Sequence, residues 1–170
     1  MEEHSEQLKL KRYLGVDPGL NRTGYAILER SLKGPVLLEG GVIRSTKGET
    51  LTHRVHEIAV GIREVFEEFH PQMMGVEQVY ALVKNPQSAV LMAHARGVIL
   101  AAAAEFEVPV LHFSPTQVKR ILTGSGKASK EQMQYAVKNE FGLEEIPEPH
   151  DVADASAIAL CLYHNVRFAA

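Results

Sequence analysis

Only one cysteine, Cys161, occurs in the 170 residues, and a single thiol excludes a disulfide framework. Its setting in the apolar run ALCLY predicts a buried thiol in a reducing compartment, hence a cytoplasmic protein. Long hydrophobic runs are missing as well. No stretch approaches the roughly 20 consecutive apolar residues that a membrane-spanning helix needs. The opening MEEHSEQLKLKR, polar and mixed in charge, lacks the apolar centre of a secretory signal, so a soluble chain with no membrane partner is expected. There is no excess of basic charge either: 18 Lys and Arg stand against 21 Asp and Glu, a net charge of −3. That balance speaks against a domain coated with phosphate contacts. It does not speak against an enzyme that gathers carboxylates at one point and keeps a local basic surface around them. Repeats and low-complexity segments are absent. What is present is ordinary for a globular domain, 45% hydrophobic and 23% charged residues, in a length at which one core buries roughly 70% of the unfolded chain's surface. Residues 1–11 are expected to be a flexible extension and residues 12–168 a single domain.

Apolar runs and turn residues predict the order of elements. RYLGV, from Arg12 to Val16, reads as a buried strand closed by Asp-Pro-Gly, and TGYAILER and PVLLEGGVI read as a hairpin about Ser31-Leu32-Lys33-Gly34. Between Glu49 and His70 apolar residues recur at three- and four-residue spacing, which predicts an amphipathic helix ended by Pro71. MMGVEQV is a fourth strand, Gln87 to Phe106 an alanine-rich helix, and Val108 to Phe113 a fifth strand. Ser114 and Pro115 open a short helix, Ser129 caps another that Gly142 ends, and PEPHD leads into a last helix carrying Val152, Ala155, Ile158, Ala159 and Leu162. The order predicts the α/β class: a five-stranded mixed sheet, its first three strands antiparallel, with helices on both faces. Strands joined through helices run parallel and bring their carboxyl ends to one edge, where sites in such sheets form.

Carboxylates fall at that edge. Asp17 ends the first strand, Glu77 ends the fourth, and Asp151 and Asp154 share one face of the first turn of the last helix. Taken singly, each has a plain structural explanation. Asp151 could be an N-cap, Asp154 a first-turn acid favoured by the helix dipole, Asp17 a turn former and Glu77 a strand end. Together, in segments apolar up to the acid (GVDPG, VEQVY, DVADA), they form a set that repels itself unless divalent cations neutralise it. All-oxygen donors, with no cysteine and no histidine pair among them, point to magnesium rather than structural zinc. Two such ions, about 4 Å apart, suit phosphodiester hydrolysis.

Basic residues cluster in one stretch. Lys119, Arg120, Lys127 and Lys130 flank the loop TGSGKAS, where glycines let the backbone approach a phosphate; an ordinary solvated charge run is the competing reading. The loop is not a nucleotide-binding P-loop, because Ile121 stands where the first glycine of that motif belongs. Tyr80, just past Glu77, either caps the core or stacks on a base. Ala93, Ala95, Gly97 and Ala101 to Ala104 give the alanine-rich helix a surface that another element can approach closely.

The segments GVDPGLNRTGYAIL, VEQVY, SAVLMAHARGVILAAA and HDVADASAIAL resemble the RuvC family of Holliday-junction resolvases in residue type, order and spacing, over about Leu14 to His164. The resemblance implies a ribonuclease-H-like fold and a magnesium-dependent endonuclease, with manganese able to substitute. It also implies a homodimer that makes paired nicks in four-way junction DNA, leaves 5′-phosphate ends and acts beside a branch-migration helicase complex. The family's four acids carry over onto Asp17, Glu77, Asp151 and Asp154. Asp17 and Asp154 are expected to hold metal with Glu77, while Asp151 completes a second ion's set or orients the attacking water. Some members carry histidine at the third position, and here His150 merely precedes Asp151, which leaves it a helper at most. Lys119 and Lys130 match basic positions near the active site, Tyr80 a base-stacking aromatic, and the alanine-rich helix a dimer-forming one. A related ribonuclease-H-like nuclease with another structured substrate is the alternative, ahead of a nonenzymatic junction-binding protein. An actin-like ATPase, which DPG and a hairpin also suggest, needs a second domain for which 170 residues leave no room.

Overall fold

The computed structural model describes residues 11–79 and 85–168. Five strands, β1 (Arg12–Asp17), β2 (Arg22–Ser31), β3 (Gly34–Arg44), β4 (Met73–Glu77) and β5 (Val110–Phe113), form one sheet in the order β3-β2-β1-β4-β5. The β1–β2 and β2–β3 pairs are antiparallel; β1–β4 and β4–β5 are parallel. The mixed sheet therefore has the predicted form, with the carboxyl ends of β1, β4 and β5 at one edge.

Helices α1 (Leu51–Phe69) and α2 (Pro86–Glu105) cover one face, and α3 (Pro115–Thr123), α4 (Lys130–Phe141) and α5 (His150–Phe168) the other. Local chemistry starts and stops them as expected. Ser114 and Ser129 each form a reciprocal capping box, with Gln117 and Gln132 respectively. Gly124 and Gly142 end their helices in the left-handed conformation, at φ 79° and 63°. The fifth strand is shorter than predicted. Glu107 turns left-handed at φ 55°, and the Val108 N–H donates to the Ala103 carbonyl, so Val108 still closes the end of α2, while Pro109 gives the sheet only its carbonyl, which accepts from the Met74 N–H at 2.9 Å.

Strand alternation divides the core in two. Leu14, Val16, Met74 and Val76 pack with Ile58, Ile62 and Phe66 of α1 and with Ile99 of α2. Tyr13 and Met73 pack with α5 on the opposite face. By the same period, Asp17 and Glu77 belong to the α5 face, and the β1–β4 register, with Val16 beside Val76, sets them next to each other.

Three glycines let α5 lie on that face. A Cβ at Gly15 in β1 would stand 2.2 Å from the Ala155 carbonyl oxygen, and one at Gly24 in β2 2.2 Å from that of Asp151. One at Gly75 in β4 would come to 3.1 Å from the Ile158 side chain. Helix backbone thus touches strand backbone. Residues Ala155, Ala157 and Ile158 to Tyr163 are buried almost completely, with α3 and α4 closing over the outer side of α5.

Candidate active site

The glycine track places the acids. Gly24 pairs with Asp17 across the β1–β2 ladder, and the backbone of Asp151 rests on Gly24. The first turn of α5 therefore begins over the start of β2, beside the end of β1, and the helix then crosses β1 at Ala155 and β4 at Ile158. The Asp-Pro-Gly turn after β1 is held by Thr23, whose hydroxyl donates to the Gly19 carbonyl at 2.8 Å.

Electrostatics confirms how close the four carboxyls stand. Burial, then the neighbouring Glu77, raises the Asp17 carboxyl to about 8, with Asp154 and Asp151 adding further repulsion. A side-chain hydrogen bond joins Asp17 and Glu77; it raises the former and lowers the latter, as it does when Asp17 keeps the proton and donates it. Glu77 is nonetheless pushed up on balance, chiefly by burial and by Asp154, against the opposing pull of Lys119. Asp154 is also raised, by burial first and Asp151 next, with Lys130 and His150 opposing.

Cations hold the two acids of α5. Arg22 Nη2 lies 2.6 Å from Asp151 Oδ2, and Lys130 Nζ lies 3.7 Å from Asp154 Oδ2. Asp151 is accordingly not an N-cap: it sits inside the first turn, its side chain on Arg22. Among the described residues no three His, Cys, Asp or Glu side chains close on a single ion position. Asp17 and Glu77 share a proton while the α5 acids lean on their cations. The donor set still suits a hard divalent cation, being all oxygen and carrying a carboxyl that burial first, and its acidic neighbours next, raise to about 8. To close on an ion, the set must give up that proton and loosen the Arg22 and Lys130 pairs.

Beside the acids opens a cleft of about 290 Å³, lined by Glu77, Asp154, Lys119, Lys130 and Gln134 over an apolar floor. Lys119 projects from α3, and Lys130 is the first residue of α4. Of the predicted basic set, then, Lys119 and Lys130 join the acids, whereas Arg120 and Lys127 are exposed and do not line the cleft. The Gln134 amide Nε2 lies 3.2 Å from Nδ1 of His150. Tyr80 lies outside the described residues. Arg22 was missed from the sequence. The signal was present in its position, since an antiparallel return from Asp17 brings the start of β2 back to the same edge, but its partner lies on a helix far along the chain.

A sheet of this order, with acids at the ends of its two central strands and on the helix that crosses them, defines the ribonuclease-H-like class. Residues 13–162 match the family model for crossover junction endodeoxyribonuclease RuvC. The curated RuvC of Rhodopirellula baltica is 51% identical over 148 residues, covering 87% of this chain and 83% of that protein. The solved structure of Thermus thermophilus RuvC superimposes with a TM-score of 0.87 at 34% identity, covering 93% of this chain and 96% of that one. The same protein in complex with a Holliday-junction substrate gives 0.86 at 34% identity, covering 94% and 96%. The chain belongs to the RuvC family of crossover junction endodeoxyribonucleases.

Proposed function

We propose that this chain resolves four-way DNA junctions, the activity of its family, by hydrolysing phosphodiesters at Asp17, Glu77, Asp151 and Asp154. The observation that carries the assignment is Asp17, a carboxyl buried against three others and raised to about 8. A fold keeps so unfavourable a group where function uses it. Magnesium, with two ions per site and manganese able to replace it, would neutralise the acids and supply Lewis acidity toward a phosphoryl oxygen and a water. Asp17, Glu77 and Asp154 hold metal; Asp151 completes a second set or orients the attacking water. Lys119 and Lys130, on the cleft wall, meet the charge that grows on the phosphate oxygens. Water attacks phosphorus as the bond to the 3′ oxygen breaks, leaving a 5′-phosphate and a protonated 3′-hydroxyl. Arg120, Lys127 and Tyr80 extend the DNA contact beyond the cleft.

Two cuts need two sites, and α2 supports a homodimer. It is long and apolar enough to cross a membrane, yet only 22% of its apolar window is buried within the chain. Val79, Pro86, Ala89, Val90 and Ala93 line an open, mainly apolar hollow along it, with Arg96 and Gly97 at its end. A second copy covering this face would relate two active sites by a two-fold axis, the symmetry of the junction. The chain, with residues 12–168 as one nuclease unit, works in the cytoplasm beside a branch-migration helicase complex, as its family resemblance implies.

The test is a panel of labelled four-way, Y-shaped and linear DNA, with Mg²⁺ or with chelator. Symmetric nicking of the four-way substrate alone, lost in Asp17→Asn while junction binding persists, is the expected result. Equal cutting of linear DNA, or a cleaving Asp17→Asn, contradicts the assignment.

A further inference from the structure

Arg96 belongs to none of the acid or basic sets, yet it reaches the strand end that carries Glu77. It projects from α2, and its Nε donates to the Glu77 backbone carbonyl at 3.1 Å. The other side of the guanidinium, Nη2, meets Nδ1 of His112 in β5. In the β4–β5 ladder His112 stands beside Val76, one residue before Glu77. One planar cation therefore spans the ends of two parallel strands from a helix on the face opposite to α5.

Holding the helix does not require this contact. Ala95, Ile99, Ala102 and Ala103 are buried, and the last three join the apolar core that α2 shares with α1. The guanidinium instead grips the peptide group of Glu77 itself, and a residue's carbonyl plane and its Cα–Cβ direction are set by the same backbone dihedrals. Fixing one helps aim the other. A charge-assisted donor with a second anchor on the neighbouring strand is suited to that task.

We propose that Arg96 is a positioning residue for Glu77, gripping its carbonyl against His112 so that the carboxylate stays directed at Asp17. This rests on the assignment of Glu77 to the catalytic acids. In this role Arg96 acts through Glu77, by its bond to the Glu77 carbonyl.

The experiment compares Arg96→Lys, Arg96→Gln, His112→Ala and Glu77→Gln in the full chain. Measured for each are four-way junction cleavage in Mg²⁺, junction binding in chelator, and thermal unfolding. Lysine keeps the charge, so the variant folds, but it lacks the planar pair of donors that spans carbonyl and imidazole. Both Arg96 variants should lose about ten- to a hundredfold in kcat while KM and junction affinity stay close to those of the unaltered protein. His112→Ala should lose less, and Glu77→Gln should be inactive. If Arg96→Lys turns over at the unaltered rate while Glu77→Gln is dead, the role of Arg96 is overturned and that of Glu77 stands. A fall in kcat matched by an equal loss of junction affinity also overturns it, because that marks lost binding or folding rather than a misaimed carboxylate. An active Glu77→Gln overturns the assignment beneath the proposal.

Discussion

The two faces of the sheet are built from the same strands by alternate residues, yet they do different work. On the α1/α2 face, large side chains such as Leu14, Ile27, Ile62 and Phe66 separate helix from strand. On the α5 face the strands offer glycine at positions 15, 24 and 75, and helix backbone lies directly on them. Side chains can repack when something shifts; backbone against backbone cannot. The close-packed face therefore fixes the acids of α5 over the ends of β1 and β4. The looser face keeps an apolar helix, α2, partly uncovered. Precision sits on one side of the sheet and the proposed self-association on the other.

The comparison breaks most sharply at a single methyl group. Gly15→Ala would place carbon 2.2 Å from the Ala155 carbonyl oxygen, and should cost roughly 3 kcal/mol or more together with nearly all cleavage activity. On the other face, Gly61→Ala in α1 would set its Cβ 2.5 Å from Cγ2 of Ile43, a side chain that must turn aside to make room. It should cost less than Gly15→Ala, because a side chain can repack where a helix carbonyl cannot and alanine favours the helix. Chemical denaturation of both variants checks the contrast. Next in size is the exposed side of α2. Val90, 57% exposed, replaced by Glu should weaken self-association at least roughly a hundredfold, about 2.7 kcal/mol, with an intact fold. Sedimentation would show monomer, and paired nicking should give way to single nicks.

A smaller effect appears with pH in metal-free protein. Asp17 has a folded-state value near 8 against an ordinary 3.8, so the folded state keeps a proton that the unfolded chain gives up above about pH 4. Stability should then fall as pH rises from about 4 to 8, with the full penalty present above the folded value. Asp17→Asn should flatten this slope. A wild-type melting profile that rises over the same window contradicts the burial argument. The mildest change is Arg22→Gln. Removing the cation that holds Asp151 at 2.6 Å should tighten metal binding by roughly three- to tenfold, read by calorimetry without DNA. Weaker binding would mean that Arg22 places Asp151 rather than competing for it.

Much of this was legible beforehand. Apolar runs closed by turn residues, caps at Ser114 and Ser129, and the terminating Gly142 marked the elements, because those signals are local. The acids were legible because apolar strands ending in a carboxylate are uncommon, and the edge they reach follows from topology. Three things were not. The bulge between Ile27 and Leu28 arises from pairing with β3. The glycine track needs the path of α5 over three strands. The partners of Arg22 and Arg96 lie on distant segments, so neither residue differs locally from any solvated arginine. Arg120 and Lys127 show the converse: adjacent in sequence to the lysines of the cleft, they point elsewhere.

If Asp17 and Glu77 hold the metal, the proton that burial keeps on Asp17 must leave when the ion binds. Titrating Mn²⁺ into metal-free protein near pH 6.5, in buffers of different ionisation enthalpy, counts the protons released on binding. Release of about one proton per chain, lost in Asp17→Asn, is the predicted result. Metal binding with no proton release, or with the same release in Asp17→Asn, would contradict it.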